Sequence, residues 1–306
     1  MQKTPFIKQK FLFLFLNTLG YFFLYLPHFL RLNFARAIAF ILYLLDSKRK
    51  LDLLKNLDFA YNGSLSEEKK QEILKTNYLN LVYNSIHFFM LAVSSKKKVL
   101  DTINIDKPEI IADLLQNHQK IVFVTAHFGN WEYTTPAFTC TFDHKITAVA
   151  RMTPSALVNS YLTRVRERFN ITILDKKGAA TGLIRALKKC GVVGIVTDQN
   201  TASNEGLLVK FFGKNVRHTP IASLLALKYD AKIVHFIAEY SKDYKKINIK
   251  IFPPLEFEKT QDLQADIQSL TQLQSDILEQ IIRENPKEWL WFHKKFKNQY
   301  PEIYRH

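Results

Sequence analysis

The sequence has few of the residues that mark metal sites, disulfides or nucleotide sites. Among its 306 residues are 2 cysteines and 9 glycines, and Cys140 and Cys190 lack the spacing of a metal site. So few cysteines suit a reducing compartment, and both are expected to be small buried side chains. No glycine-rich phosphate loop and no histidine and cysteine cluster is present. We therefore expect neither a metal nor a nucleotide cofactor.

Linker-like composition is also absent. The 10 prolines and 9 glycines are scattered, and no serine-rich or repetitive tract interrupts the chain. A chain of 306 residues can bury a sizeable core. These features predict one globular domain over residues 51–306, with an added amino-terminal arm over residues 1–50.

Acidic residues are scarce relative to basic ones. Lys and Arg number 43 against 28 Asp and Glu, which gives a net charge of +15. Such an excess needs an anionic partner, which is a nucleic acid, an acidic protein or an anionic membrane face. The 24 Phe residues are concentrated with Leu and Ile in long apolar runs, and no nucleic-acid-binding motif is visible. A lipid interface therefore suits the composition better than nucleic acid.

The amino-terminal arm contains a long stretch without charge. Phe11 to Leu30 is on the border of the length needed to cross a hydrocarbon layer of about 30 Å. Basic residues flank both ends, so the positive-inside rule leaves the orientation undecided. Pro27 favours a kinked or interfacial helix over a straight span.

Two other interpretations of the arm remain. A basic start, an apolar core and Ala37-Ile38-Ala39 superficially fit a cleaved secretory signal. Against cleavage, Arg36 interrupts the pattern, and residues 40–45 continue the apolar run. We expect a retained peripheral or monotopic anchor, and the alternative is that the arm packs on the body as core helices.

Strands and helices alternate through the rest of the chain. This order predicts an α/β fold with a mainly parallel central sheet that is covered by helices on both faces. In such sheets, sites form beyond the carboxyl ends of the strands. The predicted strands are 121–125, 146–150, 171–174, 192–197, 233–238 and 247–252, and the predicted helices are 64–93, 155–169, 181–190, one beginning at 219–220, and 263–283.

The segment from Ile121 to Glu132 carries the clearest chemistry. His127 lies at the exit of a buried strand, and Gly129 and Asn130 supply turn residues before a helix that opens at Glu132. This path can fold Glu132 back onto His127, so that the carboxylate fixes the tautomer of a base that works near neutral pH. The motif holds no Ser or Cys nucleophile, so the base would activate a substrate hydroxyl. The alternative is a turn-capping histidine followed by an ordinary first-turn carboxylate.

Polar residues follow other predicted elements. Arg151 and Asp198-Gln199 come after strands, and Arg166 lies on a helix, so they can form a positive rim beside His127. Such a rim suits phosphate and sugar-acid groups. Each also has an ordinary explanation: Arg151 as a surface ion-pair partner, Arg166 as a solvated helix residue and Asp198 as a turn former.

These motifs resemble those of a known family. His127-Phe-Gly-Asn-Trp-Glu132 is similar to the His-x4-Glu signature of the bacterial lipid A biosynthesis acyltransferases, the late lauroyl and myristoyl transferases. They belong to a wider group of glycerolipid acyltransferases. The likeness covers nearly the whole chain. Further landmarks match in order: Arg151, Arg166, Asp198-Gln199, Phe211-Phe212-Gly213 followed by Thr219-Pro220, and Asn285-Pro286 ahead of the segment from Trp291 to Lys297.

The resemblance implies a membrane-associated enzyme on the cytoplasmic face of the inner membrane. It would move a fatty acyl group from acyl carrier protein, which is acidic, to a hydroxyl of a lipid A precursor of the Kdo-lipid IVA type in lipopolysaccharide biosynthesis, without a cofactor. Backbone donors near Gly129 and Asn130 would stabilise the oxyanion. The implied catalytic residues are His127 and Glu132, and the implied substrate-binding residues are Asn130, Arg151, Arg166, Asp198 and Gln199.

Residues 198–203 lack a glycine soon after the acidic residue, a departure from the family pattern that bears on the loop and on acceptor choice. The mixture of Trp and Lys from Trp289 to Lys297 predicts a position at the lipid headgroup boundary. A related enzyme could acylate another glycolipid or a lysophospholipid from acyl-CoA or acyl carrier protein. A non-enzymatic basic protein that binds membrane surfaces or nucleic acid is the alternative of another class.

Overall fold

The chain folds around a seven-stranded sheet with helices on both faces. A computed structural model describes residues 6–202 and 204–305; residues 1–5 of the predicted arm and the side chain of Cys190 lie outside the described residues. Cys140 is a free, buried thiol, as expected. The helices of the described residues are α1 Phe6–Tyr25, α2 His28–Leu45, α3 Ser47–Tyr61, α4 Glu67–Val93, α5 Lys96–Thr102, α6 Pro108–Gln116, α7 Thr134–Phe142, α8 Ala156–Arg166, α9 Ala179–Cys190, α10 Ile221–Tyr229 and α11 Leu263–Glu284.

The sheet has the strand order β1-β9-β8-β2-β5-β3-β4. Five neighbouring strands, from β8 to β4, run parallel, whereas the pairing of β8 with β9 is antiparallel. The predicted mainly parallel sheet is therefore confirmed. A separate antiparallel hairpin is formed by β6 and β7. The strands are β1 Ile103–Asp106, β2 Lys120–Thr125, β3 Ile146–Ala150, β4 Ile171–Asp175, β5 Val192–Val196, β6 Leu207–Phe211, β7 Lys214–His218, β8 Ala231–Tyr240 and β9 Ile247–Ile251.

Each face of the sheet has its own apolar cluster. Successive side chains of a strand point to opposite faces, so Phe123 of β2 packs against Phe138 of α7, with 6.1 Å between the ring centroids. Val124 of the same strand joins Leu183 of α9 and Leu225 of α10 in the other cluster. The connection that leaves β2 therefore crosses one face, and the connection that leaves β5 crosses the other. A crevice opens between the carboxyl ends of two such strands.

The amino-terminal arm forms two helices that pack on the body. The predicted apolar stretch is interrupted at Pro27, which separates α1 from α2 because a proline disfavours helical backbone in the residue before it. Phe23 and Ala35 are buried in the same cluster as α4. A Cβ atom added at Gly20 would overlap the carbonyl of Phe89 in α4, so this glycine permits the close approach. The arm is thus joined to the domain by core contacts.

The outer side of this helix pair is apolar and exposed. Its large side chains are between 44% and 79% exposed. Among the described helices, α2 alone is long and apolar enough to cross a membrane by length and composition, with a mean hydropathy of 1.4. We call the exposed side chains the apolar face: Phe11, Leu14, Phe15, Tyr21, Phe22, Tyr25, Phe29, Leu30, Phe34, Phe40, Ile41, Leu44 and Leu45.

The carboxyl-terminal segment, residues 285–298, buries its tryptophan side chains where the sequence predicted a lipid boundary. Trp289, Trp291, Lys295 and Phe296 are each at most 1% exposed. The Trp291 ring packs against the rings of Tyr61 and Trp289, so these aromatic side chains contact one another inside the protein. The expectation that this segment lies at the headgroup boundary is therefore wrong.

Candidate active site

The base predicted at the end of β2 has a carboxylate partner at the end of β5. The strand register pairs Thr125 with Val196, and His127 and Asp198 each follow two residues later. The Nδ1 atom of His127 lies 2.8 Å from Oδ1 of Asp198, and the backbone N–H of His127 donates to Oδ2 at 2.9 Å. Two neighbouring parallel strands therefore deliver a histidine and a carboxylate to the crevice between them.

The expected contact between Glu132 and His127 is corrected by this geometry. Glu132 lies in a short 3₁₀ turn, Trp131–Tyr133, which directs its carboxylate toward the last turn of α8. There Arg166 donates to both oxygens, from Nε at 3.0 Å and from a terminal guanidinium nitrogen at 2.6 Å. The group that holds the His127 ring is Asp198, and Glu132 instead forms a bidentate ion pair.

Asp198 is a buried carboxylate with several donors. Besides its two contacts with His127, the carboxylate accepts a hydrogen bond from the indole N–H of Trp289, which lies 2.9 Å from Oδ2. Burial opposes ionisation, but the charge and hydrogen bond of His127 outweigh it and hold the pKa of Asp198 well below its usual range. Asp198 therefore stays ionised and contacts His127 and Trp289, and its contact with substrate stays a prediction.

The His127 ring is held on one side and reaches the cavity on the other. Burial lowers its pKa, but the Asp198 carboxylate, with a smaller contribution from Glu132, raises the pKa above the ordinary value. When Nδ1 carries the proton and donates it to Asp198, Nε2 is the ring nitrogen that can accept a hydrogen bond. Nε2 lies 3.2 Å from the amide nitrogen of Gln199, which can donate to it. Gln199 therefore occupies the atom that a substrate hydroxyl would approach.

A cavity of about 460 Å³ opens at this histidine. Its polar mouth includes Glu132, Arg151 and Arg166, and Arg151 is exposed. Its interior extends over the carboxyl edge of the sheet onto both faces and is mainly apolar. The lining on the α7 face includes Phe123, Ala148, Ile173 and Gly194, and the lining on the α9 face includes Ala179, Ala180, Leu183, Ile195 and Ile221.

Two small residues line the cavity on the α7 face. Phe123 pairs with Gly194, and Gly194 pairs with Ala148, so the three positions form one row across the strands. A Cβ atom at Gly194 would lie 3.2 to 3.5 Å from Ile146, Phe123 and Ala148. Neighbouring side chains therefore pack closely around Gly194, and the row of Phe123, Gly194 and Ala148 forms an apolar part of the cavity lining.

Asn130 and Gly129 form hydrogen bonds with other parts of the protein. The Asn130 side chain is fully buried, donates to the Tyr240 hydroxyl and contacts the His87 ring. It is not among the side chains that line the cavity, and its contact with substrate stays a prediction. The Gly129 N–H donates to the carbonyl of Glu288 at 2.8 Å, so it is not free to bind an oxyanion. Gly129 also has a positive φ of 50°, and a Cβ atom there would overlap the carbonyl of Ala238.

The carboxyl-terminal segment supports both loops of the site, and the sequence interpretation missed this role. The N–H of Leu290 donates to the carbonyl of His127 at 2.9 Å. The ammonium of Lys295 donates to the carbonyl of Gln199 at 3.1 Å, and His293 accepts from the N–H of Asn200 at 2.7 Å. Burial lowers the pKa of Lys295 to about 8. The one available signal was polar residues placed between large aromatic ones.

No group of three or more His, Cys, Asp or Glu side chains that could hold a metal ion occurs among residues 6–202 and 204–305.

The chain has no significant match among curated proteins. A family model described as bacterial lipid A biosynthesis acyltransferase matches residues 3–298. This match covers nearly the whole chain. The chain therefore belongs to the bacterial lipid A biosynthesis acyltransferase family.

Proposed function

We propose that the protein transfers a fatty acyl group from the thioester of acyl carrier protein to a hydroxyl of a lipid A precursor. The observation that supports this most directly is the His127–Asp198 pair at the mouth of an apolar cavity. An ionised, buried carboxylate fixes the imidazole tautomer and stabilises the imidazolium that forms. Such a pair suits a reaction in which an alcohol must lose a proton as it attacks.

The reaction begins when the acceptor hydroxyl takes the place of the Gln199 amide at Nε2 of His127. As the oxygen attacks the thioester carbonyl carbon, its proton passes to Nε2. The tetrahedral intermediate then collapses, the carbon–sulfur bond breaks, and the departing sulfur takes the proton from the imidazolium. The products are an ester and a free thiol, and the imidazole is again neutral. No covalent acyl-enzyme is needed.

The cavity supports an acyl chain as the transferred group. A fatty chain offers only methylene groups, and burying each one in an apolar site contributes about 0.8 kcal/mol. Phe123, Gly194 and Ala148 form an apolar part of the lining of the cavity that also includes His127. A chain that lies along this apolar lining would hold its thioester carbon near His127.

The polar mouth supports an anionic lipid acceptor. Arg151 and Arg166 both line the cavity, and guanidinium groups bind phosphate and carboxylate groups in a bidentate manner. The Glu132 carboxylate fixes the Arg166 side chain. We infer that Glu132 acts on the reaction through Arg166 and through its charge near His127, rather than as the direct partner of the base.

The apolar face supports attachment to a membrane, with the cytoplasmic face of the inner membrane as the proposed location. This face includes side chains as exposed as Tyr25 at 79% and Leu45 at 76%, and a soluble monomer rarely leaves a large apolar surface uncovered. The adjacent chain is basic, with Arg31, Arg36 and Arg49 on the same helices or the next one, which suits anionic headgroups. A lipid acceptor would then reach the mouth from the bilayer.

Mass spectrometry of lipid A from cells with and without the gene tests the acceptor. We expect lipid A from cells without the gene to carry one fewer acyl chain, and expression of the protein to restore it. An identical acyl count in the two samples would reject lipid A as the acceptor.

Purified protein tests the chemistry. We expect acyl transfer from acyl carrier protein thioester to the precursor, and we expect His127→Ala to abolish it while binding to vesicles is retained. The variant His144→Ala changes a histidine remote from the cavity and serves as the control. Transfer by His127→Ala at the rate of the unchanged protein would contradict the assignment of His127 as the base.

A further inference from the structure

Helix α9 and the turn that precedes it carry a strongly basic outer surface. From Lys176 to Cys190 the sequence contains five basic residues and no acidic one. We call these five the α9 basic surface: Lys176, Lys177, Arg185, Lys188 and Lys189. All five are exposed. The Lys188 ammonium lies over the Tyr229 ring at 5.4 Å from its centroid, and Lys176 is 3.8 Å from Glu205, so the surface keeps most of its positive charge toward solvent.

The same helix forms part of the cavity wall. Its first turns contribute Ala179, Ala180 and Leu183 to the lining that also includes His127. Lys189 is ten residues beyond Ala179, which corresponds to about 15 Å along a helix. A partner bound on the α9 basic surface would therefore lie next to an opening that leads to the base.

The α9 basic surface and the apolar face lie on opposite sides of the sheet. Helix α1 contacts α8, where Gln9 donates to Ser160 and the rings of Phe13 and Tyr161 pack together. Helix α8 belongs to the cluster on the Phe123 face, whereas α9 belongs to the cluster of Val124 and Ile195 on the other face. A protein that rests on a bilayer through α1 and α2 therefore turns α9 toward water.

This separation distinguishes two anionic partners. Lipid headgroups are available beside the apolar face, so a basic surface on the far side needs a soluble anionic partner. An acyl carrier protein is acidic and brings its thioester on a pantetheine arm. Complementary charge raises the rate of encounter and fixes the orientation of such a partner. The arm would enter along Ala179 and Ala180 and deliver the thioester carbon to His127.

We propose that the α9 basic surface is the docking site for an acidic carrier protein that presents the acyl thioester, an inference that rests on the proposed acyl transfer. Donor and acceptor then reach one cavity from opposite faces of the sheet. The carrier approaches from water over α9, and the lipid approaches from the bilayer over α1 and α8.

Charge reversal on the helix tests this docking site. The variant Arg185→Glu/Lys188→Glu changes two exposed side chains that do not line the cavity. Each protein, in full length, is assayed with an acyl carrier protein thioester and with the matching acyl-pantetheine thioester, which has the same arm but no protein. We expect KM for the carrier thioester to rise roughly tenfold or more, with kcat/KM for acyl-pantetheine unchanged within about twofold.

The control variant is Lys210→Glu/Lys232→Glu, which makes the same change in charge on exposed residues of β6 and β8. We expect it to retain the wild-type KM for the carrier. We also expect kcat/KM of the unchanged protein for the carrier to fall as salt is added, and that of the α9 variant to respond less.

The outcomes separate docking from the reaction itself. If the α9 variant keeps the wild-type KM for the carrier, or if the control variant loses affinity equally, the docking site is overturned while the acyltransferase function stands. If the unchanged protein uses acyl-pantetheine as well as the carrier thioester, carrier docking is likewise overturned. If it transfers an acyl group from neither thioester, the proposed function fails before docking is tested.

Discussion

The amino-terminal helices and the carboxyl-terminal segment both carry aromatic residues close to basic ones, yet the protein exposes the first group and buries the second. Tyr25 is 79% exposed, whereas Trp289 is 1% exposed. The difference lies in the available partners. The indole N–H of Trp289 donates to the Asp198 carboxylate, and the ammonium of Lys295 donates to two backbone carbonyls. The apolar face instead consists of exposed Phe, Leu, Ile and Tyr side chains. One region therefore supports the chemistry, and the other suits attachment to lipid.

This comparison predicts that the largest effect follows from the carboxylate that the buried region holds. In Asp198→Asn the amide cannot stabilise an imidazolium and can favour the wrong tautomer of His127. We expect kcat to fall about 10³- to 10⁴-fold, measured by acyl transfer with purified protein. The control is Asp175→Asn, an exposed residue at the end of β4. A fall of less than tenfold in Asp198→Asn would remove Asp198 from the mechanism.

The identity of that carboxylate shows how far the sequence interpretation reached. Apolar runs and alternating elements were sufficient for the α/β fold, because buried parallel strands such as β2 and β5 have a distinctive composition. The same patterns predicted that His127, Arg151 and Asp198 lie at one edge of the sheet. The order of the strands decides which carboxylate adjoins His127, and local pattern does not encode that order. Glu132, near in sequence, therefore appeared to be the partner.

The carboxyl-terminal segment was misplaced for a related reason. Trp and Lys side chains have the same amphipathic character at a bilayer surface and in a buried network of carbonyls and carboxylates. Lys295 is buried because residues 199 and 217 present carbonyls to it, and both are distant in sequence. Its partners exist only in the folded chain, so composition alone could not distinguish the two environments.

The second prediction concerns the exposed region. In Phe15→Ser/Leu44→Ser two members of the apolar face become polar. We expect binding to vesicles of phosphatidylethanolamine and phosphatidylglycerol to weaken roughly a hundredfold, because each large apolar side chain contributes about 1.5–3 kcal/mol when fully buried in an apolar medium and these two are partly exposed. The free energy of unfolding should change by less than about 0.5 kcal/mol. Sedimentation with vesicles and denaturant unfolding provide the measurements.

The matched control for this variant is Phe23→Ser, on the same helix pair but 6% exposed. We expect it to lower the free energy of unfolding by roughly 3 kcal/mol and to leave the vesicle affinity of the folded protein nearly unchanged. If Phe15→Ser/Leu44→Ser binds vesicles as tightly as the unchanged protein, the apolar face does not attach the protein to lipid.

The third prediction sharpens the role of the buried segment. Trp289→Phe keeps an aromatic ring among Phe211 and Trp291 but removes the donor to Asp198. A hydrogen bond to a charged group contributes about 1.5–3 kcal/mol, so we expect kcat to fall about tenfold or somewhat more, with vesicle binding unchanged. Trp131→Phe alters an indole beside His127, at 5.1 Å between ring centroids, without touching Asp198. An equal loss in both variants would mean that general packing, rather than the Asp198 bond, is responsible.

The smallest expected effect is a shift in pH dependence. The base must be neutral to act, so kcat/KM should fall as pH drops through the pKa of His127, and this acid limb should lie above the ordinary histidine value because the pKa is raised. Glu132 contributes to that rise and Arg166 opposes it.

Glu132→Gln removes the negative charge and leaves the Arg166 guanidinium without its ion-pair partner, and both changes lower the pKa of His127. We therefore expect the acid limb of Glu132→Gln to move to lower pH, as measured with acyl-pantetheine to avoid effects on carrier docking. A limb that moves to higher pH would indicate that Glu132 does not act on His127 through its charge.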